Sequence, residues 1–310
     1  MSTIEPGIRL SDLRGDTRRL RTERVVRGVL LGGAVLSIVI SALIVLSLVR
    51  EAWTFITQVE WASLWTTGWF PRRGLYDVKT LLVGSILVTA IAMAVAVPVG
   101  LGAAVYLAEY ASGRVRRVLK PALEILAGIP SVVLGFFALT WISPQVVQRL
   151  HGDASLFNLA AAGIGVGILT VPLVASISED AMRSVPLALR EASAGMGARK
   201  VTTTVSVVIP AAVSGLVAAF IVAVSRAIGE TMVVAIAAGA TGGSQFTTNV
   251  FKPGQTMTAG MAAQAAGTDA VRGQALTFQS LFFVGLLLFL ITLGLNLVAD
   301  RYVRRVRQKY

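Results

Sequence analysis

The chain has no cysteine and a single histidine, His151, among 310 residues. The first absence excludes disulfides and thiolate metal sites. The second leaves one imidazole in a short polar loop beside Gly152 and Asp153, where it reads as a solvated side chain. Charge is scarce too: 14% of the residues are charged, against roughly 25% in soluble domains. No GxxxxGK[ST] phosphate loop occurs, so nucleotide hydrolysis would have to come from another chain. No metal and no cofactor is expected.

Apolar residues fill the gap. They make up 55% of the chain, and the mean hydropathy is +0.75. Such a composition marks an integral membrane protein whose apolar surface is covered by lipid rather than packed into a soluble core. A helix needs about 20 apolar residues to cross the hydrocarbon. Six runs qualify, at roughly 28–49, 80–107, 121–142, 157–178, 209–238 and 280–299. The fold class is therefore all-α, with six membrane helices. Pro98, Pro130 and Pro172 are expected to interrupt spans two, three and four, as happens where neighbouring helices or water satisfy the freed carbonyls. The first run is too long for the apolar core of a signal peptide and ends at Val49-Arg50 without small residues, so no cleaved leader is expected.

The net charge of +12 does not indicate nucleic acid, because the basic residues sit at the ends of the apolar runs. With the N-terminus inside, 20 Lys and Arg lie in segments 1–27, 108–120, 181–204 and 300–310, and seven lie in the outer loops. The positive-inside rule puts both termini in the cytoplasm of a multi-pass protein in the cell (inner) membrane. The expected organisation is a basic tail at 1–27, a first span with a tryptophan-rich outer loop at 28–79, a core at 80–301 and a basic tail at 302–310. Trp53, Trp61, Trp65 and Trp69 in that outer loop are read as interfacial anchors. The long outer loop 239–279 contains TMTAGMAAQAA, which could form a short interfacial helix.

Two segments carry chemistry. In VSGLVAAFIVAVSRAIGETMVVAIAAGA, Arg226 and Glu230 stand four residues apart in an otherwise apolar run. Ionised groups at membrane depth cost at least a few kcal/mol, and an i,i+4 pair shares one helical face. The other segment is the inner loop EDAMRSVPLALREASAGMGARKVTTTVSVVIP at 179–210. There Ser184 is a candidate cap and Pro186 suits a first helical turn. Gly195 and Gly197 permit a turn, and Pro210 is expected to open the next helix.

This loop resembles the EAA motif of ABC-importer permeases: Glu191, Ala192 and Ser193 match its opening triplet, Gly197 its glycine and Pro210 its closing proline. The resemblance implies a MetI-like permease core with one additional N-terminal helix, and a coupling helix that sits in a groove of an ATP-binding subunit. KPALEILAGIPSVVLGFFALT at 120–140, SRAIGETM at 225–232 and LFFVGLLLFLITLGLNLVADRYVRR at 281–305 are similar to the phosphate-specific branch of that family. Of its two paired permeases, KPALEILAGIP and Met232 favour the PstC type over PstA. Ser225 departs from the PstC-type pattern, which usually has glycine before the arginine.

The resemblance implies a transport subunit that is not itself an enzyme. It implies as partners a PstA-type permease, two copies of an ATP-binding subunit and an extracytoplasmic phosphate-binding protein. It also implies that Arg226, Glu230 and Thr231 line the substrate pathway. Physical chemistry agrees, since an arginine fork can bind phosphate through parallel hydrogen bonds. Glu230 could offset Arg226 and weaken the site enough for release. A fork alone does not distinguish phosphate from other oxyanions such as sulfate or molybdate, which stay open as cargo. A membrane-embedded enzyme or a passive channel fits less well, the first for want of convergent catalytic groups, the second because it leaves the EASAGMG loop unexplained.

Overall fold

The computed structural model describes residues 17–66, 68–239, 243–266 and 276–306. Among these, six helices are long and apolar enough to cross a membrane. The first, α1 (Thr17–Gln58), carries most of one unit, which ends at Arg50; the rest of the described chain belongs to a second. Within the first unit the helix is exposed at nearly every described position. The expected boundary at residue 49 falls short, because the helix runs on for two more turns and buries Ala52 and Phe55 inside the second unit.

The second unit is built on α2 (Val78–Tyr110) and α5 (Leu159–Arg183), which pack along most of their length. Small residues let the two backbones approach. A Cβ at Gly163 would come within 2.7 Å of Ile91 Cβ, and one at Gly167 within 2.9 Å of the Ala92 carbonyl oxygen. Pro98 and Pro172 lie inside these helices but do not interrupt them as expected, since both helices run through the proline without a break. Leu134, Ala138, Val166, Val233 and Val234 extend the same core.

The third span lies elsewhere than the hydropathy predicts. Residues 113–127 form an amphipathic helix, α3 (Gly113–Ala127), with no buried residue. The chain breaks at Gly128–Pro130, and the span proper is α4 (Ser131–Leu150). Pro130 therefore precedes this span rather than interrupting it. Proline disfavours the α conformation at the residue before it and suits a helix start. Arg116, Lys120 and Glu124, at four-residue spacing, give α3 a polar face that no spanning helix would keep.

After α5 come a short helix, α6 (Leu187–Gly195), and then α7 (Lys200–Ile228). Pro210 does not open α7, which begins ten residues earlier. The helix absorbs the proline through a π-type stretch at Thr204–Val208 immediately before it. Wider turns of this kind accommodate a residue that cannot donate to the carbonyl four positions back. α7 then stops at Ile228, so the fifth span does not run to 238. A separate short helix, α8 (Met232–Ala237), follows.

At the end of this unit remote from α6, three short strands form a sheet in the order β2–β1–β3. They are β1 (Gly68–Phe70), β2 (Leu75–Tyr76) and β3 (Ser244–Gln245), paired antiparallel with Trp69 opposite both Tyr76 and Ser244. Trp69 is thus buried and serves the local core with Phe55 and Tyr76, whereas Trp53, Trp61 and Trp65 stay exposed as interfacial anchors would. Helix α9 (Met257–Ala265) forms where the sequence suggests one, but it is packed rather than interfacial. Its Met257 N–H donates to Ser85 Oγ at 3.0 Å. Gly84, lacking a side chain, accepts the Gln255 carbonyl directly against its backbone. The final span is α10 (Thr277–Val306). His151 stacks on Phe251 with ring centroids 4.2 Å apart.

Candidate functional site

The break between α7 and α8 holds the predicted charged pair. Arg226 lies in the last turn of α7, Gly229 caps that helix, and Glu230 and Thr231 form the two-residue link to α8. A rise of 1.5 Å per residue puts Arg226 about 39 Å along α7 from Lys200, at the far end of the helix rather than in its middle. Arg226 Nη2 stands 3.7 Å from Glu230 Oε2, beyond hydrogen-bond length.

The two partners are held differently. Glu230 has only 5% of its side chain exposed. Its Oε1 accepts the N–H groups of Met232 and Val233, at 3.2 and 3.4 Å, so the carboxylate caps α8. Its carbonyl accepts from Thr258 Oγ1 at 2.8 Å, which ties the break to α9. Arg226, by contrast, has 53% of its side chain exposed. Thr231 donates its hydroxyl to the Gly229 carbonyl at 3.3 Å, closing the turn. The site is a cation held out from a carboxylate that is spent on backbone. Ser225 is explained by a neighbour: its Oγ donates to Asn296 Oδ1 of α10 at 3.3 Å.

The predicted coupling segment folds as a helix with a specific stop. The Ala198 N–H donates to the Ser193 carbonyl and the Gly197 N–H to the Ala194 carbonyl. Gly197 has φ +78°. These bonds, with a left-handed residue just past the helix, form a Schellman cap, which favours glycine at that position. Gly195 needs no such freedom, since it is the last helical residue. Glu191 and Ala192 are exposed, and Ser193 Oγ lies 2.8 Å from Thr203 Oγ1 at the start of α7. Met196, just past the helix, is 88% exposed, and Leu187, at its start, is exposed too. Ser184 does not cap α6; its hydroxyl donates back to Ala181 at the end of α5.

Sequence reasoning missed what holds this helix in place. Arg190 donates to Glu109 Oε1 at the end of α2, at 2.9 Å, and to the carbonyls of Val185 and Met182. Just before the helix, fully buried Glu179 meets Arg116 Nε at 2.6 Å and Lys120 Nζ at 3.4 Å, both from α3. Burial works against the Lys120 ammonium, but the hydrogen bond and charge of Asp180, with Glu179, outweigh it and raise its pKa. The only advance signal was Glu109 and Glu179 at the edges of apolar runs.

Comparisons place this geometry among known proteins. Residues 96–309 match the family described as "Binding-protein-dependent transport system inner membrane component". The chain is 30% identical over 327 residues to the "Phosphate transport system permease protein PstC" of Mesorhizobium japonicum, covering 99% of this chain and 98% of that one. It is 26% identical to the protein of the same name from Pasteurella multocida, over 89% of this chain and 90% of that one. It is 34% identical to the "Phosphate transport system permease protein PstA 1" of Mycobacterium tuberculosis, over 62% of this chain and 60% of that one. An inward-facing structure of the MetNI methionine ABC transporter shares the fold, with TM-score 0.54 at 21% identity over 74% of this chain and 94% of that chain.

Proposed function

Because this chain belongs to the family of binding-protein-dependent transport system inner membrane components, we propose that it is the PstC-type subunit through which inorganic phosphate enters the cell. It is a transport component, not an enzyme. The family works with a second permease, with ATPase subunits and with a binding protein. The finer assignment here is a PstA-type partner, two copies of the ATPase and an extracytoplasmic phosphate-binding protein.

The observation that carries the phosphate reading is the half-exposed Arg226 guanidinium at the α7–α8 break. Phosphate carries one to two charges and cannot enter hydrocarbon unpaired. A guanidinium that is always charged can meet it with a planar pair of donors. Because the Glu230 carboxylate is committed to the α8 N–H groups, it stays beside the arginine without closing on it. Its charge limits how tightly the anion is held.

In this reading both termini and α6 are cytoplasmic, and the sheet and α9 are extracytoplasmic. The Schellman-capped helix with exposed Glu191, Ala192, Leu187 and Met196 docks on the ATPase. Residues 1–27 and 302–310 are basic cytoplasmic tails. Uptake of labelled phosphate and labelled sulfate by cells with and without this chain tests the cargo. Phosphate uptake that depends on the chain supports the reading, and dependence of sulfate uptake alone contradicts it.

A further inference from the structure

A cavity of about 190 Å³ lies between the turn Pro71–Arg73 and helix α9, at the end of the unit remote from α6. Its walls include Trp69, Arg72, Arg73, Gln255 and Gln264, and among the described residues no acidic side chain lines it. The wall is firmly built. Thr277 Oγ1 donates to the Pro71 carbonyl at 3.0 Å, and so does the N–H of Gly74, which has φ +73°. The Arg73 guanidinium carbon stands 5.5 Å from the centre of the Phe70 ring.

The two glutamines are the unusual part. Gln264 is 7% exposed and Gln255 is 3% exposed. Among the described residues neither Nε2 nor Oε1 of Gln264, nor Oε1 of Gln255, has a hydrogen-bond partner. Buried amides without partners are costly, so native chains rarely keep them without a use. Here they line a cavity with two permanent cations at its edge. A second cavity, sharing Phe70 and Gly243, adds Lys252 nearby.

We infer that this cavity is a receiving site for a protonated oxyanion, hydrogen phosphate, upstream of Arg226. The inference rests on the phosphate reading above. Arg72 and Arg73 supply the charge, and the Gln264 amide donates to an anionic oxygen. The carbonyl oxygen of Gln264 or Gln255 accepts from the P–OH of hydrogen phosphate, and dihydrogen phosphate can serve both. Sulfate has no proton to give them near neutral pH, and a site whose acceptors stay unpaired rejects such an analogue strongly. The cavity also connects to the charged break, because three residues after Gln255 the Thr258 hydroxyl holds the Glu230 carbonyl.

The test uses the purified complex of both permeases and the ATPase, without the binding protein, and labelled inorganic phosphate. Wild type should bind phosphate, and sulfate should compete only at concentrations at least 100-fold higher. Gln264→Met keeps the apolar volume and removes the unpaired amide, so the complex should assemble as well as wild type while phosphate binds at least tenfold more weakly. Arg72→Gln with Arg73→Gln should weaken binding by a similar factor. Unchanged affinity in Gln264→Met overturns the site. So does a wild-type complex that binds no phosphate although cells carrying it take phosphate up. If those cells take up no phosphate, the cargo assignment fails instead.

Discussion

Arg190 of α6 and Glu109 at the end of α2 are joined by a hydrogen-bonded ion pair of 2.9 Å, 81 residues apart in sequence. The pair links the helix assigned to ATPase docking to one of the two helices that form the centre of the unit. With Glu109 only 7% exposed, it is a mechanical connection rather than a surface contact.

Removing one partner of a buried pair costs about 3 kcal/mol. Arg190→Met should therefore loosen α6 without preventing membrane insertion. The expected result is ATP hydrolysis that continues while transport falls at least fivefold. Glu109→Gln keeps an acceptor for the Arg190 N–H and should be milder. ATPase activity and uptake measured together on reconstituted complexes check this, and equal loss of both in Arg190→Met would contradict it.

Gly197 provides a sharper local test. A non-glycine residue at its positive φ costs about 1–2 kcal/mol, although a Cβ there would meet nothing within 4 Å. Gly197→Ala should weaken copurification with the ATPase, and Gly197→Asn, which tolerates that conformation, should weaken it less. Gly197→Asp should be worst, because it adds a charge on the docking face. Retention of the ATPase on the tagged permease gives the ranking, and a ranking by side-chain size instead would refute the conformational argument.

Orientation can be read by labelling. The chain has no cysteine, so single cysteines report unambiguously. Glu60→Cys and Asp153→Cys should react with an impermeant thiol reagent added outside intact cells. Gly113→Cys and Ala192→Cys should react only after permeabilisation. The reverse pattern would invert every role assigned here.

Much of this was legible in the sequence. The number of spans, the pairing of Arg226 with Glu230, a short helix in the loop after Pro186 and the need for glycine at 197 all follow from local pattern. What the pattern misplaced were boundaries. Apolar residues at 121–127 hid the amphipathic character of α3, although Arg116, Lys120 and Glu124 already lay on one face. Pro210 reads as a helix opener because a π-type stretch leaves no sequence mark. The ion pairs Arg190–Glu109 and Arg116–Glu179 were invisible for a different reason: they join positions 81 and 63 residues apart, and no local rule couples them.

Glu230→Gln separates charge from structure at the site. A glutamine Oε1 can still accept from the Met232 and Val233 N–H groups, so α8 should keep its cap. The loss of charge beside Arg226 should let phosphate bind more tightly and leave more slowly. Uptake should fall several-fold while the complex assembles normally, and single-turnover release measured on reconstituted vesicles should slow by a similar factor. Loss of assembly would instead make the carboxylate structural.

The most direct measurement of the central claim is phosphate uptake by Arg226→Gln. The substitution removes the charge but keeps a hydrogen-bonding side chain at a half-exposed position, while the buried Glu230 carboxylate keeps the Met232 and Val233 N–H groups. The complex should assemble at wild-type levels and take up less than about a hundredth of the wild-type phosphate. Arg226→Lys, with charge but no fork, should be severely impaired without being dead. Wild-type uptake by an assembled Arg226→Gln complex would contradict the assignment of this residue to the path of the anion.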